Sequence, residues 1–303
     1  MKNLLIILIF NAFDISGWAQ SYVDLLKVNA STTPFNAFDS SASQTKINNI
    51  DVDLTVPIKI NERLSLISGA QFESIQTKIF AEGHVKIFGS STVKLGVNKQ
   101  FNGNWSGTMI LLPKVASDYK NLSSNDFQIG AIGILKYKKS NNLNYKFGLY
   151  YNSELFGPFF VPMVGMYYVS ANKKFETNIM VPLQADANFK LHPYVSIGCN
   201  FNGQIRSYHL TDISPAYHST YIARSTNEFY GYLKFNVTKN LSIQTKIGAS
   251  VGRSYRVYDE NDKVTFGLPA TFIGAKRQQL NSNFSNGLIF QATLLYRFHL
   301  DKK

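Results

Sequence analysis

A two-residue period running the length of the chain limits the fold more than any other feature. In "IDVDLTVPIKI" the apolar set is Ile50, Val52, Leu54, Val56, Ile58 and Ile60, against Asp51, Asp53, Thr55, Pro57 and Lys59. Successive strand side chains point to opposite faces, so this spacing gives one apolar and one polar face. The pattern returns at Val93, Leu95 and Val97, at Phe127, Ile129, Ala131, Leu135 and Tyr137, and at Leu143, Tyr145, Phe147, Leu149 and Tyr151. It is longest in the final stretch, "GLIFQATLLYRFHLDKK", where Leu288, Phe290, Ala292, Leu294, Tyr296, Phe298 and Leu300 take every second place. No segment shows the 3.6-residue period of an amphipathic helix. The class is all-β.

Turn signals then choose between ways of closing such strands. Short turns fall at 61–63, 102–104, 138–142, 171–174 and 238–240, and longer polar stretches near 35–48, 76–90, 113–126, 207–227 and 259–285. Short turns at one end and longer loops at the other are the plan of an antiparallel transmembrane β-barrel. The alternation predicts about twelve strands, within a range of ten to fourteen. Segment 175–191 alternates across Pro182 and reads either as one long strand or as two short ones. A secreted β-sandwich alternates in the same way, because one face of each sheet is buried. Three features favour the barrel. Its rows run about ten residues, as a tilted crossing needs, against about five or six in soluble sheets. Aromatic residues stand near row ends (Trp105, Tyr137, Tyr151, Tyr167, Tyr168, Tyr255 and Phe298), where a membrane interface suits them. A long last strand also needs a partner, and "YVDLLKVNAS" at 22–31, with weaker alternation, would remove both sheet edges by pairing with it.

The first twenty residues carry a Lys2, an apolar run from Leu4 to Phe13 and a small-residue approach at Gly17-Trp18-Ala19. This is the pattern of a secretory signal peptide, expected at 1–19 with cleavage after Ala19 or Gln20, leaving 20–303 as one barrel domain. Cys199 is the only cysteine, so no intrachain disulfide can hold this exported chain. The formal charge is +12. Export and the dispersal of Lys and Arg argue against nucleic acid and leave anionic lipid or small anionic solutes as partners.

The segments "VDLLKVNASTTP" (23–34), "FGPFFVPMVGMYY" (156–168), "GRSYRVYDENDK" (252–263) and "YRFHL" (296–300) resemble an uncharacterised family, a domain of unknown function, of Gram-negative outer-membrane β-barrel proteins. The resemblance spans most of the chain after the signal segment. It implies a barrel in the outer membrane and supplies no activity. The last strand is also similar to the address read by the barrel-insertion machinery, carried here by Leu294, Tyr296 and Phe298, with five residues following Phe298.

Signatures of chemistry are sparse. There is no phosphate-cradling glycine loop ending in Gly-Lys-Ser/Thr, no His-Glu-x-x-His and no cysteine pair, and no cofactor or metal is expected. In "SPAYHST" (214–220), His218 could serve Ser219 or Ser214 as base with Asp212 as orienter only if a loop folded back on itself, and solvated loop residues are the commoner case. No catalytic residue is therefore expected. Asp51 and Asp53 share a face about 7 Å apart, as strand rise dictates, and read as polar lumen lining. "DENDK" (259–263) lacks the calcium-loop spacing and its central glycine.

The polar face as a whole says more. A cation facing lipid at mid-bilayer costs about 2–4 kcal/mol, so charged positions should point inward. Those positions are Lys94, Lys136, Lys146, Arg206, Lys234, Lys246, Arg256 and Arg297, against Asp51, Asp53, Glu73, Glu176 and Asp186. A lumen so lined, if open, favours anions. The expectation is a narrow passive channel for small anionic solutes. A non-conducting structural or surface-interaction barrel is the alternative, and an outer-membrane lipid hydrolase a more distant one.

Overall fold

The structure, a computed structural model, describes residues 22–214, 217–274 and 277–299, leaving aside the side chains of 212–214, 217–218 and 299. The expected signal segment, its expected cleavage after Ala19 or Gln20 and Leu300 lie outside the described residues, as do the side chains of Asp212, Ser214 and His218.

Strands follow one another as β1 Tyr22–Ala37, β2 Gln44–Lys59, β3 Leu64–Lys78, β4 Val85–Gln100, β5 Trp105–Ser117, β6 Phe127–Lys138 and β7 Leu143–Glu154. Then come β8 Gly157–Val169, β9 Phe175–Val181, β10 Gln184–His192, β11 Val195–Ser214, β12 Tyr217–Asn236 and β13 Leu241–Ser250. The last four are β14 Ser254–Asp259, β15 Phe266–Leu268, β16 Thr271–Ile273 and β17 Leu288–His299. Each strand from β1 to β13 pairs antiparallel with the next, β13 pairs with β17, and β17 returns to β1. The result is a closed ring of fourteen strands. β14 prolongs the line of β13 along β12, and β15 and β16 form a small hairpin in the last connection.

The closing pair is the expected one, running from Tyr22↔His299 to Thr32↔Phe290. It carries a register shift between Asp24 and Leu26, which accounts for the weak alternation of this strand. Before the bulge Tyr22 and Asp24 point inward; after it the inward set is Lys27 and Asn29, because one extra residue swaps the faces. The ring has fourteen strands where about twelve were expected, and segment 175–191 supplies two of them. They part at Pro182, which has no N–H for the ladder.

Outside, the barrel is apolar over its middle. Ile50, Leu54, Leu66, Phe72, Leu95, Met109, Phe147, Val164, Ile197, Leu233, Ile247 and Phe290 all lie exposed on it. A band that encircles every wall far exceeds the patches of soluble proteins, and hydrocarbon is the solvent it suits. Short turns share one rim, the turn end, with Tyr22 and His299, and there Trp105 packs at a tilt against Tyr137 with ring centroids 5.0 Å apart. Two of the aromatics expected at interfaces are elsewhere: Tyr167 points into the lumen and Tyr255 lies in a buried core.

The opposite rim, the loop end, departs from the expected plan of long loops. More than half of 35–48 and of 76–90 is strand, β5 takes in 113–117, and 207–227 is the upper part of β11 and β12. β9 and β10 stop at residues 181–184, so above Asn202 the edge of β11 has no β10 beside it. There β11, β12 and β14 leave the wall as a three-stranded flap. Its direction follows from the ring: β11 and β4 stand seven places apart among fourteen, on opposite sides. Yet Tyr208 of β11 meets Phe88 of β4 at 5.1 Å between centroids, and His209 bridges Ser117 of β5. The flap therefore crosses the lumen.

Candidate functional site

Both faces of the flap are buried. On one, Tyr208, Leu210, Ile222, Tyr255 and Val257 pack on the inward Ile47, Ile75, Phe88 and Ala116 of β2 to β5. On the other, Tyr221 and Tyr258 join Phe156, Phe159, Val161 and Met163 of the β7–β8 side. These clusters bury the two faces of the flap within the loop half of the barrel.

A carboxylate locks the first face. Glu73, on β3 and 2 % exposed, accepts from Arg224 Nη1 at 2.7 Å, Arg206 Nη1 at 2.9 Å and the Tyr208 hydroxyl at 2.7 Å. Arg206 and Arg224 are direct cross-strand partners, so two like charges stand side by side with the carboxylate between them. A second lock joins the flap edge to β7: Glu154 accepts from the Ser207 N–H at 2.6 Å and pairs with Lys114 Nζ at 3.6 Å.

The turn half stays polar. A cavity of about 140 Å³ is bordered by Lys27, Lys234, Lys246 and Arg297 and by Asp24, Glu176 and Asp186. Arg297 makes a forked pair with Asp24, Nε to Oδ1 at 2.5 Å and Nη2 to Oδ2 at 3.2 Å, and lies over the Tyr22 ring. Glu176 accepts from Tyr22 and from Tyr167. Asp186 accepts from Tyr232, whose ring lies under Lys246. Around the remaining wall Lys94 pairs with Asp53 at 2.6 Å, and Asp51 accepts from Asn29 and Gln71. Lys146 donates to Asn178 at 2.7 Å, with Lys136 directly opposite on β6.

The inward positions named from the sequence thus fall into two groups. Glu73 and Arg206 belong to the flap lock, and the rest, Arg256 apart, sit on strands of the wall. Arg256 is the correction. It sits on β14 within the flap and is exposed, because Tyr255 and Val257 take the core face there. Sequence reasoning missed Arg224, Lys114, Glu154, Asp24 and Lys27. The last two were hidden by the β1 bulge; the first three take their meaning from the flap's crossing, which no local pattern announces. Leu294 and Tyr296 lie exposed on the outer face, while Arg297 points inward.

A closed antiparallel barrel with an apolar outer band and a charged, partly filled interior defines a transmembrane β-barrel protein of the outer-membrane kind. The chain belongs to the family described as Domain of unknown function (DUF6268), which matches residues 18–297. Among solved structures it is similar to the COG4313 outer membrane channel from Pseudomonas putida F1, at 8 % identity, 90 % of this chain, 93 % of that one and a TM-score of 0.46. It is also similar to the NanC porin, at 10 % identity, 89 % and 98 % coverage and a TM-score of 0.35. A third is OprB of Pseudomonas putida, at 10 % identity, 92 % and 94 % coverage and a TM-score of 0.32. No curated protein matches the chain.

Proposed function

We propose that the protein is an outer-membrane barrel that passes small anionic solutes and is closed, in the conformation described, by its flap. The carrying observation is the contrast between the two halves. The turn half keeps a polar cavity in which Lys27, Lys234, Lys246 and Arg297 border Asp24, Glu176 and Asp186, and a rim of this sign draws anions. The loop half is shut by a flap held through Glu73, so permeation requires the flap to swing. Reversal potentials across a planar bilayer test this. The folded protein should show rare openings with anion preference, and Lys234→Glu with Lys246→Glu should reduce or invert that preference. Openings whose selectivity ignores both substitutions would refute the solute class.

A second reading is favoured by the two apolar clusters, which make the flap resemble a permanent core more than a door. A barrel built that way is non-conducting and acts through its loop-end surface. Absence of any current from folded protein, in wild type and in a variant lacking the Glu73 carboxylate, would select it.

A further inference from the structure

The face of the flap opposite Glu73 carries an arrangement that neither the channel nor the structural reading uses. His209 on β11 and Ser219 on β12 share that face as diagonal neighbours, since His209 is opposite Tyr221 and Thr211 opposite Ser219. Asp126 reaches them from the 3₁₀ turn Ser124–Asp126 that leads into β6. His209 Nδ1 lies 2.9 Å from Asp126 Oδ1, and His209 Nε2 lies 2.9 Å from Ser219 Oγ. Asp126 is 1 % exposed and His209 4 %, and the Ser123 N–H fixes the other carboxylate oxygen. A carboxylate can only accept, so Nδ1 carries the proton toward Asp126 and Nε2 faces the hydroxyl. An orienting acid, an imidazole in the right tautomer and a hydroxyl at hydrogen-bond distance are the three parts a serine nucleophile needs.

The site also has room and a neighbourhood. A cavity of about 470 Å³ adjoins it, with His209 and Glu260 on its wall. Leu155, Lys263, Phe127 and Pro158 border the same cavity, and the last two lie exposed on the strands' outer side, continuous with the apolar band. A substrate with an apolar chain and a polar head can therefore approach from the membrane boundary, with Lys263 bringing a cation to the wall where an oxyanion or an acidic head would lie. From this geometry we infer that Asp126, His209 and Ser219 form a nucleophilic site for carboxylic esters of amphiphiles at the loop end of the barrel.

In the first step Ser219 Oγ bonds to the ester carbonyl carbon while its proton passes to His209 Nε2. The tetrahedral adduct then expels the alcohol oxygen, which takes that proton and leaves as the alcohol. Water, deprotonated by the same Nε2, attacks the acyl-serine. Its collapse frees the carboxylic acid and returns the proton to Ser219. The sum is ester plus water to acid plus alcohol, with no further reactant.

Glu260 holds the resting state. Its carboxylate also accepts from Ser219 Oγ, and a hydroxyl has a single proton to give. While that proton points at Glu260, it is withheld from His209. Asn125 Nδ2 keeps Glu260 in place at 3.0 Å, so the base engages the nucleophile once an incoming substrate displaces the carboxylate.

The test uses the unaltered full chain, folded in detergent as judged by heat-modifiable migration, and so depends on no variant folding. A fluorophosphonate probe should label one site, and peptide mass analysis should place it on Ser219. In parallel, p-nitrophenyl butyrate hydrolysis should fall by about 10²–10⁴-fold in Ser219→Ala and in His209→Asn. Glu260→Gln, whose amide can donate to Ser219, should label faster than wild type; slower labelling would remove Glu260 from the role of brake. Failure of the folded wild type to label at Ser219, or hydrolysis by Ser219→Ala at the wild-type rate, would overturn the assignment. Bilayer conductance plays no part in either readout, so the channel can fail while this site stands, and the reverse.

Discussion

Glu73→Gln asks the most of the flap while changing the least of the barrel. It leaves side-chain volume almost unaltered and removes the charge that accepts from Arg206, Arg224 and Tyr208. Each charge-assisted bond contributes about 1.5–3 kcal/mol, and stripping one partner from a buried ionic group costs about 3–5 kcal/mol. The loss is sharpened by the two arginines, which stay opposite each other with no negative charge between them. None of it falls on the wall, whose backbone ladder does not pass through this side chain. The closed flap should therefore weaken by roughly two to three and a half powers of ten, at 1.4 kcal/mol for each. Hydrogen exchange of the amides of residues 205–209 reads this directly, and open probability in a planar bilayer reads its consequence. As a control, Glu73→Leu with Arg206→Met and Arg224→Met should close the flap again, because packed apolar side chains replace a buried ionic cluster without loss. Unchanged exchange in Glu73→Gln would show that the apolar clusters alone hold the flap and would refute the lock.

Leu95, 53 % exposed at the middle of β4, should face hydrocarbon. Leu95→Arg is expected to lower stability by about 2–4 kcal/mol in urea unfolding from lipid vesicles, whereas a soluble surface position would tolerate it. Gly252 stands at φ +65° between β13 and β14, where the chain leaves the wall. Gly252→Val should destabilise by about 1–2 kcal/mol, and the exchange of β14 amides should rise more than that of β13. Phe298→Asp places a charge at the interface end of the closing strand. It should reduce the folded, heat-modifiable fraction recovered from outer membranes, and normal recovery would count against this strand as an insertion address.

What the sequence disclosed and what it concealed divide along the wall and the flap. Leu241, Ile243, Ile247 and their polar partners Ser242, Gln244 and Lys246 alternate because one side meets hydrocarbon and the other the lumen, so their faces could be assigned without coordinates. The upper parts of β11 and β12 meet protein on both sides. Tyr208 and Leu210 face one core and Tyr221 the other, alternation is lost, and the segment reads as a polar loop. The candidate nucleophile was hidden for the same reason. Asp126 and His209 are 83 residues apart and meet only because the flap crosses the mouth. Ser219 is next to His218 in sequence, but the imidazole at hydrogen-bond distance from its hydroxyl is that of His209, ten residues earlier.

The fourteen-place ring also imposes an order on assembly. Neighbouring hairpins can form as soon as their residues are available, but Glu73 must wait for Arg206 and Arg224, which lie 133 and 151 residues away. They can reach it only after the sheet has curled far enough to bring β3 opposite β11 and β12. Until then Tyr208, Leu210 and Ile222 have no wall to rest on, and Arg206 and Arg224 have no carboxylate between them. An unfinished barrel therefore displays an apolar and cationic surface that a finished one hides. Closure of the ring withdraws that surface, so the flap can settle only after the wall it rests on is complete.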